Sequence, residues 1–230
     1  MSFIGLSCVI LTIVIYLLSK KIHQYCPYLL CSPGIFTPIV LISLLLIFHI
    51  SYDSYMQDGQ WLIWMLGPAT VAFAIPIYEY RILIQQHAIS IGMGIIFGMS
   101  SGMISAFALA QLFHFDHATT FSLMARSIST PFAMELSREI GGSVELVILF
   151  TMITGILGML FGDLILSILR LKSHFAMGAS LGNAAHGFGT SKAYSRDREE
   201  GVIASLTMVL SGIFMVLCGP MLVKIILLFV

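Results

Sequence analysis

The chain has 230 residues, of which 58% are hydrophobic and only 10% charged, and its mean hydropathy is +0.99. Soluble domains carry about 25% charged residues, so a water-soluble globule is excluded and a polytopic membrane protein is indicated. Lys+Arg and Asp+Glu balance at 11 each; no basic excess is left to hold nucleic acid, and the longest polar stretch, residues 192–200, is only loop-sized.

An apolar run of about 20 residues spans about 30 Å of hydrocarbon. The first, residues 3–19, is followed rather than preceded by its charges, Lys20 and Lys21, and shows no small-x-small cleavage site. It reads as a retained first helix with its N-terminus outside, not as a secretory signal. Residues 35–51, 61–84, 88–113, 144–169 and 202–230 supply five more, the second of these punctuated by Gly67-Pro68 and Pro76. Two further segments are apolar but interrupted: residues 119–139 around Ser129-Thr130-Pro131, and residues 174–194 around 182–189. Cys8, Cys26, Cys31 and Cys218 have no zinc or redox spacing, and Cys26 and Cys31, beside the Lys20/Lys21 loop, are expected as free thiols.

Cationic loops favour the cytoplasmic side. Lys20 and Lys21 place the first loop inside, Asp53 and Asp58 fall outside, and Arg81 falls inside. If residues 119–139 re-enter from outside and 174–194 from inside, then Arg170, Lys172, Lys192, Arg196 and Arg198 are all cytoplasmic. The expected fold is therefore all-α: about six full transmembrane helices plus two broken or re-entrant elements, in one domain over residues 1–230. Eight crossings are the alternative, with a weaker charge bias. An echo of Leu66-Gly67-Pro68-Ala69 and Phe73 in Leu181-Gly182-Asn183-Ala184 and Phe188, 115 residues later, is what an internal repeat of the transporter kind would leave.

The interrupted segments carry the chemistry. Residues 180–193 combine Gly182, Gly187 and Gly189 with Asn183, His186, Thr190 and Lys192. Polar or irregular backbone at membrane depth is tolerated only where protein covers it or a water-filled cavity reaches it, and an ionisable residue there is a functional-site hypothesis. Asn183 and Thr190, three before and four after His186, share its face if the local backbone is helical. Lys192 reads as a side chain reaching the cytoplasmic interface. In Arg126-Ser-Ile-Ser-Thr-Pro-Phe-Ala133, Thr130 is expected to cap a half-helix running from Pro131. Its free N–H groups would attract an anion; a proline kink with a local hydroxyl cap is the bland alternative. Gly94, Gly98 and Gly102, and likewise Gly155, Gly158 and Gly162, mark close helix packing. Glu79 and Arg81 with Tyr78 and Tyr80 read as an interfacial belt, and Glu135, Arg138 and Glu139 as local pairs. Asp163 either faces a polar lumen or approaches the interface. No clustered metal ligands, nucleophile–base pair, phosphate loop or dinucleotide fingerprint is visible, so no metal, cofactor or enzymatic activity is expected.

Ile50-Ser-Tyr-Asp-Ser-Tyr55, Pro68-Ala-Thr-Val-Ala-Phe-Ala-Ile-Pro-Ile-Tyr-Glu79, Ser127-Ile-Ser-Thr-Pro-Phe-Ala-Met134 with Ile140-Gly-Gly142, Gly155-Ile-Leu-Gly158 and His186-Gly-Phe-Gly-Thr-Ser-Lys-Ala193 together resemble the LrgB/CidB family of bacterial membrane proteins. That family also supplies one part of the plant plastidal glycolate/glycerate translocator. Where it usually shows Ser-Val-Thr-Thr-Pro this chain has Ser-Ile-Ser-Thr-Pro, which retains the hydroxyls; the preceding base, commonly lysine, is Arg126, which adds a bidentate fork. The resemblance implies a multi-pass protein of the bacterial cytoplasmic (inner) membrane that works with a small holin-like LrgA/CidA protein. It also implies two competing functions: an antiholin-like modulator of murein hydrolase activity and autolysis, or a carrier of small monocarboxylates such as pyruvate, glycolate or glycerate. Residue chemistry favours the carrier, because broken helices and buried basic groups suit a carboxylate. The expected substrate-binding residues are Arg126, Ser129, Thr130, Pro131, Asn183, His186 and Thr190. Oligomeric state is left open, a homo-oligomer included.

Overall fold

The computed structural model describes residues 3–26, 28–72 and 74–228, and among them every regular element is helical. The chain divides into two compact units, Met1–Ala72 and Phe73–Val230.

The first unit contains α1 (Phe3–Tyr25), a 3-10 turn (Leu29–Cys31), α2 (Pro33–Ile47), α3 (Tyr52–Trp64) and α4 (Leu66–Ala72). Helix α1 packs on both α2 and α3. In these apolar contacts the few hydroxyls find each other: Ser19 Oγ lies 2.8 Å from Thr37 Oγ1, and Thr12 Oγ1 lies 3.2 Å from the Tyr55 hydroxyl.

The second unit contains α5 (Ala74–Glu79), α6 (Arg81–Gln86), α7 (Ala88–Leu112), α8 (His117–Ala125), α9 (Thr130–Ile140), α10 (Val144–Ile168), α11 (His174–Arg196) and α12 (Arg198–Leu228). Among the described residues, four helices are long and apolar enough to cross a membrane, over Gly5–Tyr25, Ala88–Leu112, Val144–Ile168 and Arg198–Leu228. The count of six full spans is not reproduced. Helix α2 has 15 residues, or about 22 Å at 1.5 Å per residue, and residues 61–84 form no continuous span. Proline explains the second departure. Its ring clashes with the carbonyl four residues earlier, and α3 ends at Trp64, four before Pro68; a second break falls at Tyr80, between α5 and α6. The 115-residue echo does not mark equivalent surroundings. Around Gly67 there is open space, whereas Gly182 is wedged against the Ala204 carbonyl, and Phe73 lies outside the described residues.

Both interrupted segments are hairpins. In the first, α8 and α9 lean together on the start of α10. Ser122 Oγ donates to the Ser143 carbonyl at 3.2 Å and accepts from the Ser143 N–H at 2.8 Å, while Ser137 Oγ donates to the same carbonyl at 3.3 Å. Residues 21 positions apart therefore lie at one end of α10, and residues 126–129 form the tip. In the second, α11 is divided at His186 into arms of residues 174–185 and 187–196. The arms run antiparallel: Arg196 Nη2 reaches Met177 Sδ at 3.1 Å, and Gly189 abuts the Leu181 carbonyl. A straight helix would hold Met177 and Arg196 about 28 Å apart. This hairpin opens towards the other end of α10, where Asp163 lies 2.6 Å from both Lys192 Nζ and Arg196 Nη1.

Helix α7 passes Asn183 at Gly98 and then Ser127 at Gly102, whereas α10 passes Arg126 at Thr154 and then Leu181 at Gly162. The two helices run in opposite senses, each followed by a hairpin, so a span-plus-hairpin unit occurs twice with inverted direction. Helix α12 runs beside both, meeting Gly178 at Glu200, Phe132 at Gly212 and Leu136 at Gly219.

Candidate functional site

The two tips meet near the middle of α10. Arg126, which closes α8, donates through Nη1 to Thr154 Oγ1 at 3.0 Å. On the next residue, a Cβ added to Gly155 would come within 3.0 Å of His186 Cε1 and collide with the Phe188 ring. Thr154 stands ten residues into α10, about 15 Å from its start, and Gly155 stands about 20 Å from its end. The stripe of Gly155, Gly158 and Gly162 is therefore packing surface, as its spacing suggests, and it receives Phe188, Ala185 and Leu181 of the second hairpin.

His186 occupies the turn itself, at φ 39° and ψ −126°. Few non-glycine residues adopt a positive φ, and such backbone costs about 1–3 kcal/mol, sustained only where the surroundings over-determine it. The side chain is 3% exposed, and its Nε2 has no hydrogen-bond partner.

At the first tip the helix start differs by one residue from the expectation. Thr130 is the first helical residue of α9, and Ser129 is the N-cap, at φ −64° and ψ 147°. The earlier start is permitted because the first four N–H groups of a helix have no intrahelical acceptor, so Pro131 fits in the first turn. At four other helix starts the cap side chain bonds its own helix: Ser51, Asp116, Ser143 and Ser173 accept from the backbone three residues on. Ser129 does not. Its hydroxyl is buried without a partner, and the N–H groups of the first turn of α9 stay uncapped.

Among the described residues, four buried side-chain polar atoms lack partners, and three of them, Ser129 Oγ, Thr151 Oγ1 and His186 Nε2, belong to the tips or to the α10 segment between them. Buried polar groups ordinarily have partners, and an unsatisfied one in hydrocarbon costs several kcal/mol. Arg126 is within electrostatic reach of His186, and among the described residues no carboxylate pairs with it. The cluster thus offers one unpaired cation, a free helix N-terminus and three unused hydrogen-bonding atoms.

Of the residues singled out in the sequence, Arg126, Ser129, Thr130, Pro131 and His186 belong to these tips. Asn183 and Thr190 are engaged elsewhere. Asn183 Nδ2 donates to the Gly94 carbonyl at 3.1 Å, and its Oδ1 accepts from Ser211 Oγ at 2.6 Å. Thr190 Oγ1 points at Met208 Sδ, 3.7 Å away. The common face assumed for Asn183, His186 and Thr190 does not exist, because the backbone reverses at His186. A cavity of about 110 Å³ beside Asn183, lined by Ser90, Gly94, Ser180 and Thr207 among others, separates α7, α11 and α12.

Three polar residues of α10 escape a linear reading: Thr151 and Thr154, which resemble ordinary helix threonines in an apolar run, and Asp163. Asp163 does not stand alone. It holds Lys192 and Arg196, and Arg196 Nε also reaches the buried Glu200 at 2.9 Å, which lies 3.0 Å from His174 Nδ1. Lys192 is accordingly an ion-pair partner rather than a free interfacial lysine. Glu135 and Arg138 form the expected exposed i,i+3 pair at 3.4 Å.

Comparison with known proteins gives a consistent kinship. The model of the LrgB-like family matches residues 12–225. The uncharacterized protein YwbG of Bacillus subtilis is 37% identical over 96% of this chain and 99% of its own length. YxaC of the same organism is 34% identical over 96% of each chain, and the holin-like protein CidB of Staphylococcus aureus is 33% identical over 95% of this chain and 96% of its own. No solved structure matches.

Proposed function

The chain belongs to the LrgB-like family of membrane proteins, and from that premise and the geometry of the hairpin tips we propose that it carries small monocarboxylates or hydroxyacids of the pyruvate, glycolate or glycerate class. One observation carries the reading: two hairpins opening towards opposite ends of α10 bring an unpaired arginine, an uncapped helix start and unpartnered polar atoms to mid-span. Broken helices meeting near the bilayer midplane are how many secondary transporters build a substrate site reachable from either side. The carboxylate would accept from Arg126, Ser129 and the N–H groups at the start of α9, with His186 Nε2 facing its other end. The α10 end bearing Asp163 also carries Arg170, Lys172, Lys192, Arg196 and Arg198, which orients it to the cytoplasm of a bacterial inner membrane. A small LrgA/CidA-like membrane protein is the proposed partner.

The second reading, a modulator of murein hydrolase activity and autolysis, draws on the words "holin-like" in the name of the staphylococcal relatives. Liposomes holding the protein, with and without the small partner, separate the two. Labelled pyruvate or glycolate should accumulate, and His186→Ala should abolish or strongly reduce uptake while the protein stays in the membrane. Normal uptake by that variant, together with a lost effect on autolysis in cells, would favour the modulator.

A further inference from the structure

Hydroxyls on helices in apolar surroundings ordinarily bond back to their own backbone, and this chain follows the rule. Thr12, Ser43, Ser122, Ser180, Thr207 and Ser211 each donate to the carbonyl four residues before, at 2.6–2.9 Å. Thr151 is as deeply buried as Ser122, Thr207 and Ser211, at 1% exposure, yet its Oγ1 bonds neither to Val147 nor to anything else.

Its position gives the reason. Helices α9 and α10 pack on each other, with Ser137 bonded to Ser143. Eight residues further from that contact along each helix, about 12 Å, stand Thr151 on α10 and Ser129 at the α9 N-cap. Ser129 leaves its own helix uncapped, and its hydroxyl is buried without any partner. Thr151 is also one turn from Gly155, against which His186 packs, and three residues before Thr154, which holds Arg126. Among the described residues, the two buried hydroxyls with no partner thus lie at the same level of the same helix pair.

We infer that Thr151 is a substrate-contacting residue, its hydroxyl donating to an oxygen of the bound carboxylate from the α10 side while Ser129 and the α9 N–H groups hold it from the other. The inference rests on the carrier reading above and adds a residue that this reading does not require. A site built only from the two tips would leave α10 as passive packing surface. With Thr151 as a ligand, α10 becomes its fixed wall.

The test uses the full-length protein in detergent or liposomes, with pyruvate and glycolate as probes. Thr151→Val keeps the shape and removes the hydroxyl. It should weaken pyruvate binding by about tenfold or more, the worth of a hydrogen bond to a charged acceptor. It should also leave the thermal stability of the ligand-free protein equal or higher, because an unpartnered buried hydroxyl has gone. Thr151→Ser should keep most of the affinity. Arg126→Gln, measured alongside, separates the two levels of argument. Weaker binding by Arg126→Gln with unchanged binding by Thr151→Val overturns the role of Thr151 alone, and unchanged binding by both overturns the carboxylate site. Loss of ligand-free stability in Thr151→Val, restored by Thr151→Ser, makes the hydroxyl a structural group and also overturns the inference.

Discussion

Arg126 is the residue on which the anion site can be tested most sharply. It is half-buried at mid-span, its guanidinium donates to the neutral Thr154 hydroxyl, and no carboxylate pairs with it among the described residues. In Arg126→Gln the uncapped start of α9 remains, so its helix-terminus contribution, up to about 2 kcal/mol when partly buried, survives. What disappears is a charge-assisted hydrogen bond worth about 1.5–3 kcal/mol. At 1.4 kcal/mol per tenfold, carboxylate affinity should fall by roughly ten- to a hundredfold. Arg126→Lys retains the charge and should keep most of the affinity. Thr130→Val should cost less than the loss of charge in Arg126→Gln, because Ser129 rather than Thr130 is the cap. The ligand-free protein should respond in the opposite direction, since removing an unpaired buried charge holds or raises stability. Binding of pyruvate and of its uncharged amide, measured for each variant with melting temperatures, checks both arms. Equal losses for acid and amide, or a lower melting temperature without ligand, would show that Arg126 holds the fold rather than the anion.

The hairpins predict sidedness: cysteines placed near Asp116 and Gly142 should react with an impermeant reagent from one face of the membrane, and cysteines near Ser173 and Asp197 from the other. Opposite-face labelling within either pair would mean a full crossing. Gly155→Val puts side-chain atoms into Phe188 and His186, so overpacking should destabilise the protein by about 1–3 kcal/mol and reduce uptake; a neutral thermal melt would contradict the packing. At the other end, Asp163→Lys should impair closure of the second hairpin, and Lys192→Asp in the same chain should restore part of it, read as protection of a cysteine at position 191 from modification. Because these ion-pair side chains are a quarter to a half exposed, stability itself should change by no more than about 1 kcal/mol, and absence of rescue would remove the ion pair from the account.

Much of this architecture is readable in advance, for reasons that are local. Pro131 with neighbouring hydroxyls, and the glycines around His186, interrupt apolar segments, and only re-entrant paths keep the later cations on one side. What resists a linear reading is non-local. The turn falls on His186, a residue with no conformational licence for it, while Gly187 and Gly189 stand beside it; the reversal comes from packing against Gly155 and the neighbouring arm, and it removes the helical face assumed for Asn183 and Thr190. Asp163 finds its partners 29 and 33 residues away. Thr151 looks like any helix threonine until its hydroxyl is compared with the others. The apolar stretch at residues 61–84 has the length of a span, but helix α3 ends four residues before Pro68 and a second break falls at Tyr80.

The solitary charge at mid-span also has an electrical consequence. With the imidazole of His186 neutral, the site without substrate bears the single positive charge of Arg126 about halfway across the hydrocarbon, and a bound monocarboxylate cancels it. A membrane potential acts on a charge moved fully across the bilayer with about 2.3 kcal/mol per 100 mV, so on the carrier reading proposed above it pulls on the unliganded protein and leaves the loaded one nearly untouched. On that reading an inside-negative voltage draws the unliganded site towards the cytoplasmic face, and the expected pace-setting step of uptake in a polarised cell is the return of the unloaded protein rather than the passage of a substrate.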